Sequence, residues 1–111
     1  MIGDSNGVVG NNNAVIGNVN GVIGSANNVY GVGNNLAGNV NTAIGAGNNI
    51  IGNVNTVSGI SNNVGGNLNT VNGVQNTVIG GANFVAGSGN LVQSGPSSPY
   101  TFSNLRKYWE I

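Results

Sequence analysis

The chain has 111 residues, of which two are basic and two acidic, and it contains neither cysteine nor histidine. So neutral a surface lacks the basic patch of proteins that bind nucleic acids or anionic membranes. Acid–base pairs, nucleophilic triads and nitrogen or sulfur metal sites are equally unsupported. We therefore expect no enzymatic activity, no cofactor, no metal and no nucleic-acid partner. No apolar stretch approaches the roughly 18 residues of a membrane span.

The N-terminus, Met1-Ile2-Gly3, has no basic and apolar leader. We expect a signal peptide to be absent, removed or outside this sequence, and the protein to be extracellular or at a cell surface. From Gly3 to Gly87, glycine then recurs every seven residues through thirteen units. An asparagine follows each glycine after three residues, and an aliphatic residue comes two positions later. This G-x-x-N-x-V-x unit predicts an array of stacked repeats over residues 1–93.

Each repeat predicts a short strand rather than a helical turn. One glycine and at least one asparagine per seven residues disfavour a helix, since glycine costs about 1 kcal/mol relative to alanine. The alternation in N-x-V-x-G instead indicates a strand centred on Asn-x-Val, with both side chains directed inward. We expect glycine to take positive φ at the corners. The buried amides should form a ladder along the stack, comprising Asn13, Asn20, Asn27, Asn34, Asn41, Asn48, Asn55, Asn62, Asn69, Asn76 and Asn83.

Successive repeats differ in kind, which indicates how many of them make one coil. After glycine, one set carries Asn39, Asn53 and Asn67, whereas the intervening set carries Ala46, Ile60 and Val74. This 14-residue alternation predicts an all-β, parallel β-solenoid, a two-sided β-roll with 14 residues per coil. The alternation is weaker before residue 31, so a three-sided coil stays open as the alternative.

Residues 94–111 depart from the repeat and form the second segment of the chain. Pro96 and Pro99 are expected to interrupt strand pairing, and Ser103 is a candidate N-cap for a short helix. Leu105, Tyr108 and Trp109 would then share one helical face. We interpret this segment as a cap over the last coil, with a partner-docking or anchoring tail as the alternative.

The repeat resembles the xxNxVxG unit of the perennial-ryegrass type of plant antifreeze, or ice-recrystallisation-inhibition, protein. Asn41–Gly45, Asn55–Gly59 and Asn69–Gly73 carry the resemblance most clearly. It implies a left-handed β-roll with a valine core, asparagine ladders and a flat ice-binding face of small side chains. More weakly, N-x-V-x-G resembles the S-x-A-I-G repeat in the heads of trimeric bacterial adhesins.

The outward positions then define a candidate ice-binding site, for which the resemblance supplies the ligand. Three threonines recur at one coil spacing, and neighbouring positions extend their column. The candidate residues are Thr42, Ile44, Thr56, Ser58, Thr70 and Asn72. A structural, self-assembling module of a fibre, coat or adhesin is the alternative function, and a carbohydrate-binding solenoid is a third. Open strand edges and neutral faces also predict end-to-end or side-by-side association into homo-oligomers or filaments.

Overall fold

The computed structural model describes residues 1–94 and 101–103, and this part of the chain consists of strands and turns without a helix. Successive strands alternate between two parallel sheets of seven strands each. The odd sheet contains β1 (Gly7–Val9), β3 (Gly21–Ser25), β5 (Asn35–Asn39), β7 (Asn49–Asn53), β9 (Asn63–Asn67), β11 (Thr77–Gly81) and β13 (Leu91–Ser94). The even sheet contains β2 (Ala14–Asn18), β4 (Asn28–Val32), β6 (Thr42–Ala46), β8 (Thr56–Ile60), β10 (Thr70–Val74), β12 (Phe84–Ser88) and β14 (Thr101–Ser103).

Strands within the repeat array pair with the strand one coil away, in constant register. Thr42 aligns with Thr56, and Thr56 aligns with Thr70, so the step is 14 residues. The odd sheet keeps the same step, as in the alignment of Asn49 with Asn63. Two strands per coil confirm the predicted two-sided β-solenoid and exclude the three-sided alternative. The left-handed sense stays a prediction.

The core is a single file of aliphatic side chains between the two sheets. The second residue of each strand from β2 to β13 points inward and is at most 3% exposed. The molecule measures only 13 Å along its shortest axis, which leaves room for one such layer. The inward column consists of Val15, Val22, Val29, Leu36, Ala43, Ile50, Val57, Val64, Val71, Val78, Val85 and Val92.

A buried asparagine ladder runs beside this column, and Asn55 illustrates its bonding. The Asn55 Nδ2 donates to Asn41 Oδ1 at 3.1 Å and to the Gly66 carbonyl oxygen at 2.8 Å. Its Oδ1 accepts from the backbone N–H of Asn69 at 3.0 Å and from Asn69 Nδ2 at 3.1 Å. All four hydrogen-bonding positions of the amide are therefore used inside the protein.

The ladder confirms the inward direction predicted for the repeat asparagines. Asn13 is only half-buried in the first coil, but its Oδ1 accepts from Asn27. The asparagines of later repeats are at most 2% exposed. They are Asn20, Asn27, Asn34, Asn41, Asn48, Asn55, Asn62, Asn69, Asn76, Asn83 and Asn90.

A second asparagine ladder lies on the surface and runs in the opposite direction. Asn39 N–H donates to Asn53 Oδ1, and Asn53 N–H donates to Asn67 Oδ1, both at 3.0 Å. These side chains are exposed, so water can replace either bond. The outer ladder therefore contributes less to stability than the buried one.

The prediction that the repeat glycines form the corners was wrong. Gly59 is the fourth residue of β8, and the strand begins after Asn55 rather than at it. The turn is made two residues later by Ser61, whose φ is 57°. Gly59 does have a positive φ, 134°, but its main constraint is space: a Cβ there would lie 1.8 Å from the Gly73 carbonyl oxygen. The glycines therefore permit close stacking of coils.

The chain rejoins the even sheet after the repeat ends. Thr101–Ser103 pairs in parallel with Phe84–Ala86, so β14 covers the edge of β12. The step is now 17 residues, since Thr101 aligns with Phe84. Pro96, Pro99 and the helix predicted from Leu105, Tyr108 and Trp109 lie outside the described residues.

Replacing a stacking glycine should cost far more stability than replacing a corner glycine. For Gly59→Ala we expect a loss of about 3 kcal/mol or more in the free energy of unfolding, because the new Cβ overlaps a backbone oxygen. Gly47→Ala is the matched control, since its nearest neighbour is Ser61 Oγ at 3.7 Å. There we expect only the left-handed penalty of ~1–2 kcal/mol. Equal losses in urea unfolding would contradict the stacking role.

The two ladders provide a second comparison. Asn55→Leu removes the partners of the Gly66 carbonyl and the Asn69 amides, and each buried group left unpaired should cost ~1–3 kcal/mol. Asn53→Leu, on the outer ladder, should cost about 1 kcal/mol or less because water replaces the lost bond. Thermal unfolding followed by circular dichroism measures both. The ranking of the two ladders is wrong if Asn53→Leu gives the less stable protein.

Candidate functional site

The six predicted site residues lie together on the outer surface of the even sheet. Thr42, Thr56 and Thr70 occupy the first position of β6, β8 and β10 and align directly. The third positions of the same strands carry Ile44, Ser58 and Asn72, which align in a parallel column. Because residues one and three of a strand point to the same side, the two columns form one surface. We call this surface, Thr42 to Asn72, the threonine face.

The threonine face combines hydroxyl, methyl and amide groups, and its members differ in accessibility. Thr56 and Thr70 are exposed, whereas Thr42 is half-buried. Two aromatic side chains bracket the columns along the sheet. Tyr30 precedes Ile44 in the third-position column, and Phe84 follows Thr70 in the first-position column. Both rings are about half exposed, so they limit the flat region to three coils.

A third outward column, on the same sheet, was not included in the predicted site. It follows the glycine of each even strand and contains Val32, Ala46, Ile60 and Val74. Ile60 is 52% exposed and aligns with Ala46 and Val74. The sequence-based prediction ended each strand at glycine and thereby missed this column. The alternation of Asn53 with Ile60 after successive glycines was the signal that distinguished the sheets.

The odd sheet presents a different outer surface. Its first positions include Asn35, Asn49 and Asn63 where the even sheet has asparagine only once. Gly7 and Gly21 leave the start of this column without side chains, beside exposed Ile23. The two faces of the solenoid are therefore chemically distinct, and Asn49 occupies the position on the odd sheet equivalent to Thr56.

One corner of the solenoid carries an apolar ridge in a strained backbone conformation. Val40, Val54 and Leu68 have φ values of 60°, 59° and 63°, in the left-handed region that β-branched residues rarely adopt. They are nevertheless 46% to 61% exposed. Along the same coils, the opposite corner carries Gly47 and Ser61 instead. No feature of the sequence repeat identified these positions as corners.

Electrostatics contribute little to either face. Asp4 is the only charged side chain among residues 1–93, and it lies in the first coil. The described residues contain no group of histidine, cysteine, aspartate or glutamate that could hold a metal ion. They also form no helix of the length and apolarity needed to cross a membrane. Recognition at these surfaces must therefore depend on shape, hydroxyl and amide groups, and apolar contact.

Comparison with known proteins adds no family assignment. The sequence matches no protein-family model, and no curated protein matches it significantly.

The strained corner predicts a stabilising substitution. Val54→Asn should raise the melting temperature by a few degrees, corresponding to about 1 kcal/mol, because asparagine tolerates the left-handed conformation. Val74→Asn is the control: this side chain is also exposed but has no positive φ. We expect that change to be neutral or destabilising through lost strand propensity. If Val54→Asn destabilised the protein, the valine ridge would contribute packing that offsets its strain.

Proposed function

We propose that this protein binds ice through the threonine face and thereby inhibits ice recrystallisation. The carrying observation is the in-register column of Thr42, Thr56 and Thr70 on an uncharged sheet. A crystal surface presents the same arrangement of water molecules at each lattice repeat. A protein surface that repeats at a fixed strand spacing, ~4.8 Å in a sheet, can meet such a surface at several points together.

The fold supports this proposal by fixing the spacing before binding. Each threonine follows a buried ladder asparagine; Asn55, for example, makes four hydrogen bonds immediately before Thr56. The backbone N–H of Thr56 also donates to the Asn69 carbonyl at 2.8 Å. The backbone beneath the column therefore needs no further ordering on contact with a lattice, which lowers the entropic cost of association.

The chemistry of the face is compatible with a water lattice as ligand. Threonine hydroxyls can donate to and accept from water, while threonine methyls and Ile44 provide apolar contact. No charged group lies on the face to hold a competing hydration shell. This proposal is for binding, without a catalytic step.

A steric block on one sheet tests the proposal. Thr56→Tyr places a bulky ring at the centre of the column, where the side chain is exposed and the fold is spared. We expect recrystallisation inhibition to fall several-fold, measured as mean ice-grain size after annealing below the freezing point. Asn49→Tyr makes the same change at the equivalent position of the odd sheet and should leave inhibition unchanged.

Two results would contradict the proposal. In the first, ice grains grow equally in the parent protein and in a non-binding protein of similar size. In the second, Thr56→Tyr and Asn49→Tyr reduce inhibition equally, which would remove the assignment to the threonine face. Circular dichroism of both variants establishes that any loss comes from the surface and not from unfolding.

A structural module of a larger assembly is the second candidate function. It is favoured by exposed apolar side chains in the column that follows the glycines, where Val32 is 51% and Ile60 52% exposed. Contiguous apolar surface of this kind commonly marks contacts between proteins. Under this alternative, Ile60→Asn would reduce assembly while Thr56→Tyr would have no specific effect on ice. The two functions are thus separated by which column the activity depends on.

A further inference from the structure

The two ends of the solenoid carry complementary unpaired groups. At the first coil, β1 pairs only with β3. Gly7 N–H donates to the Asn20 carbonyl, toward the interior of the stack. In a parallel ladder alternate residues bond to opposite neighbours, so the N–H and C=O of Val8 face the open end. The backbone N–H of Asn6 has no acceptor among the described residues.

The last described coil leaves an acceptor unused. Asn90 is 2% exposed, and its Oδ1 is buried without a hydrogen-bond partner among the described residues. Its N–H and Nδ2 both donate to Asn76 Oδ1 at 3.0 Å, so the residue belongs to the ladder. In every complete step of the ladder, this oxygen accepts the backbone N–H of an asparagine one coil further on. The last strand of the odd sheet, β13, likewise pairs only with β11.

We propose that the solenoids stack head to tail, with β1 of a second copy pairing in parallel with β13. Asn6 of the second copy then occupies the next ladder position and donates to Asn90 Oδ1. Its geometry already suits this role, because Asn6 Oδ1 accepts from Asn20 and Asn6 Nδ2 donates to the Gly17 carbonyl at 2.7 Å. These are the contacts that interior ladder residues make on their C-terminal side.

The even sheet can continue through the same joint by exchanging one contact. Ile2 forms an isolated bridge to Ile16, with Ile2 N–H donating to the Val15 carbonyl and Gly17 N–H donating to the Ile2 carbonyl. Ser103 of β14 lies in register with Ala86, at the strand position equivalent to Ile16. Ser103 of the neighbouring copy can therefore replace Ile2 on β2 and restore the same two backbone bonds.

Such a joint uses different surfaces on the two partners. Heterologous contacts do not close on themselves unless the rotation between copies makes a ring, so this joint generates open chains of solenoids. Each copy contributes seven strands to each sheet, and both sheets would run through the joint. The strand pairing is a form of β-augmentation. The inference does not depend on ice binding.

Two proline variants test the joint by blocking opposite ends. Val8→Pro removes the outward N–H of β1, and Leu91→Pro removes the outward N–H of β13. Val8→Ala and Leu91→Ala are the matched controls, because they shorten the same side chains but keep the N–H groups. Sedimentation velocity from micromolar to millimolar concentration measures association of the full chain, and circular dichroism establishes folding.

We expect the parent chain and both alanine variants to form species larger than the 11.0 kDa monomer as concentration rises. Each proline variant alone should stay monomeric. An equimolar mixture of the two should form a dimer and nothing larger, because only one open end remains on each variant. That complementation is specific to a head-to-tail joint.

Other outcomes would overturn the proposal. A parent chain that stays monomeric throughout would place the partner of Asn90 within its own chain or in solvent. Continued association of both proline variants by themselves would assign assembly to a face of the solenoid. If the proline variants were monomeric but failed to complement each other while folded, the joint would be symmetric. Recrystallisation inhibition by the monomeric variants is scored separately, so the two proposals can fail independently.

Discussion

The structure depends on the close approach of successive coils at the repeat glycines, where backbone and ladder meet at a single atom. The Gly59 carbonyl oxygen accepts a hydrogen bond from Asn48 Nδ2 at 2.9 Å. The same oxygen lies 1.9 Å from the point that a Cβ on Gly45 would occupy. Asparagine can reach this acceptor only because glycine lets the neighbouring coil approach. The two residue types are therefore required together, which explains why both recur without exception through thirteen repeats.

This division of tasks leaves the outward positions free to serve function. The aliphatic column and the buried ladder use the inward positions, and the glycines and corners shape the backbone between them. The outer positions of the even and odd sheets carry few fold-determining contacts, so they can differ as Thr56 and Asn49 do. A rigid scaffold with variable outer columns is suited to binding a repetitive ligand, because the spacing is set by the fold and the chemistry by the surface.

The sequence was sufficient to predict the coil length, the inward column and the ladder, because each depends on strict periodicity. It did not locate the corners, since glycine has two roles that sequence alone does not separate: positive φ and absence of a Cβ. At Gly59 the second role decides, and the turn falls on Ser61. The alignment of the three threonines was predicted correctly from their 14-residue step. The adjacent column containing Ile60 was missed because the strands continue past glycine.

Hydrogen exchange of the side-chain amides tests the central role of the buried ladder most directly. Solution NMR can follow the Nδ2 groups of Asn41, Asn55 and Asn69 beside those of Asn39, Asn53 and Asn67. We predict that the first group exchanges as slowly as the backbone amides of β8, through the same unfolding events. The outer group should exchange at rates close to those of solvent-exposed amides. Rapid exchange of the inner Nδ2 groups in a folded protein would contradict this role, because the coils would then be held together without the ladder.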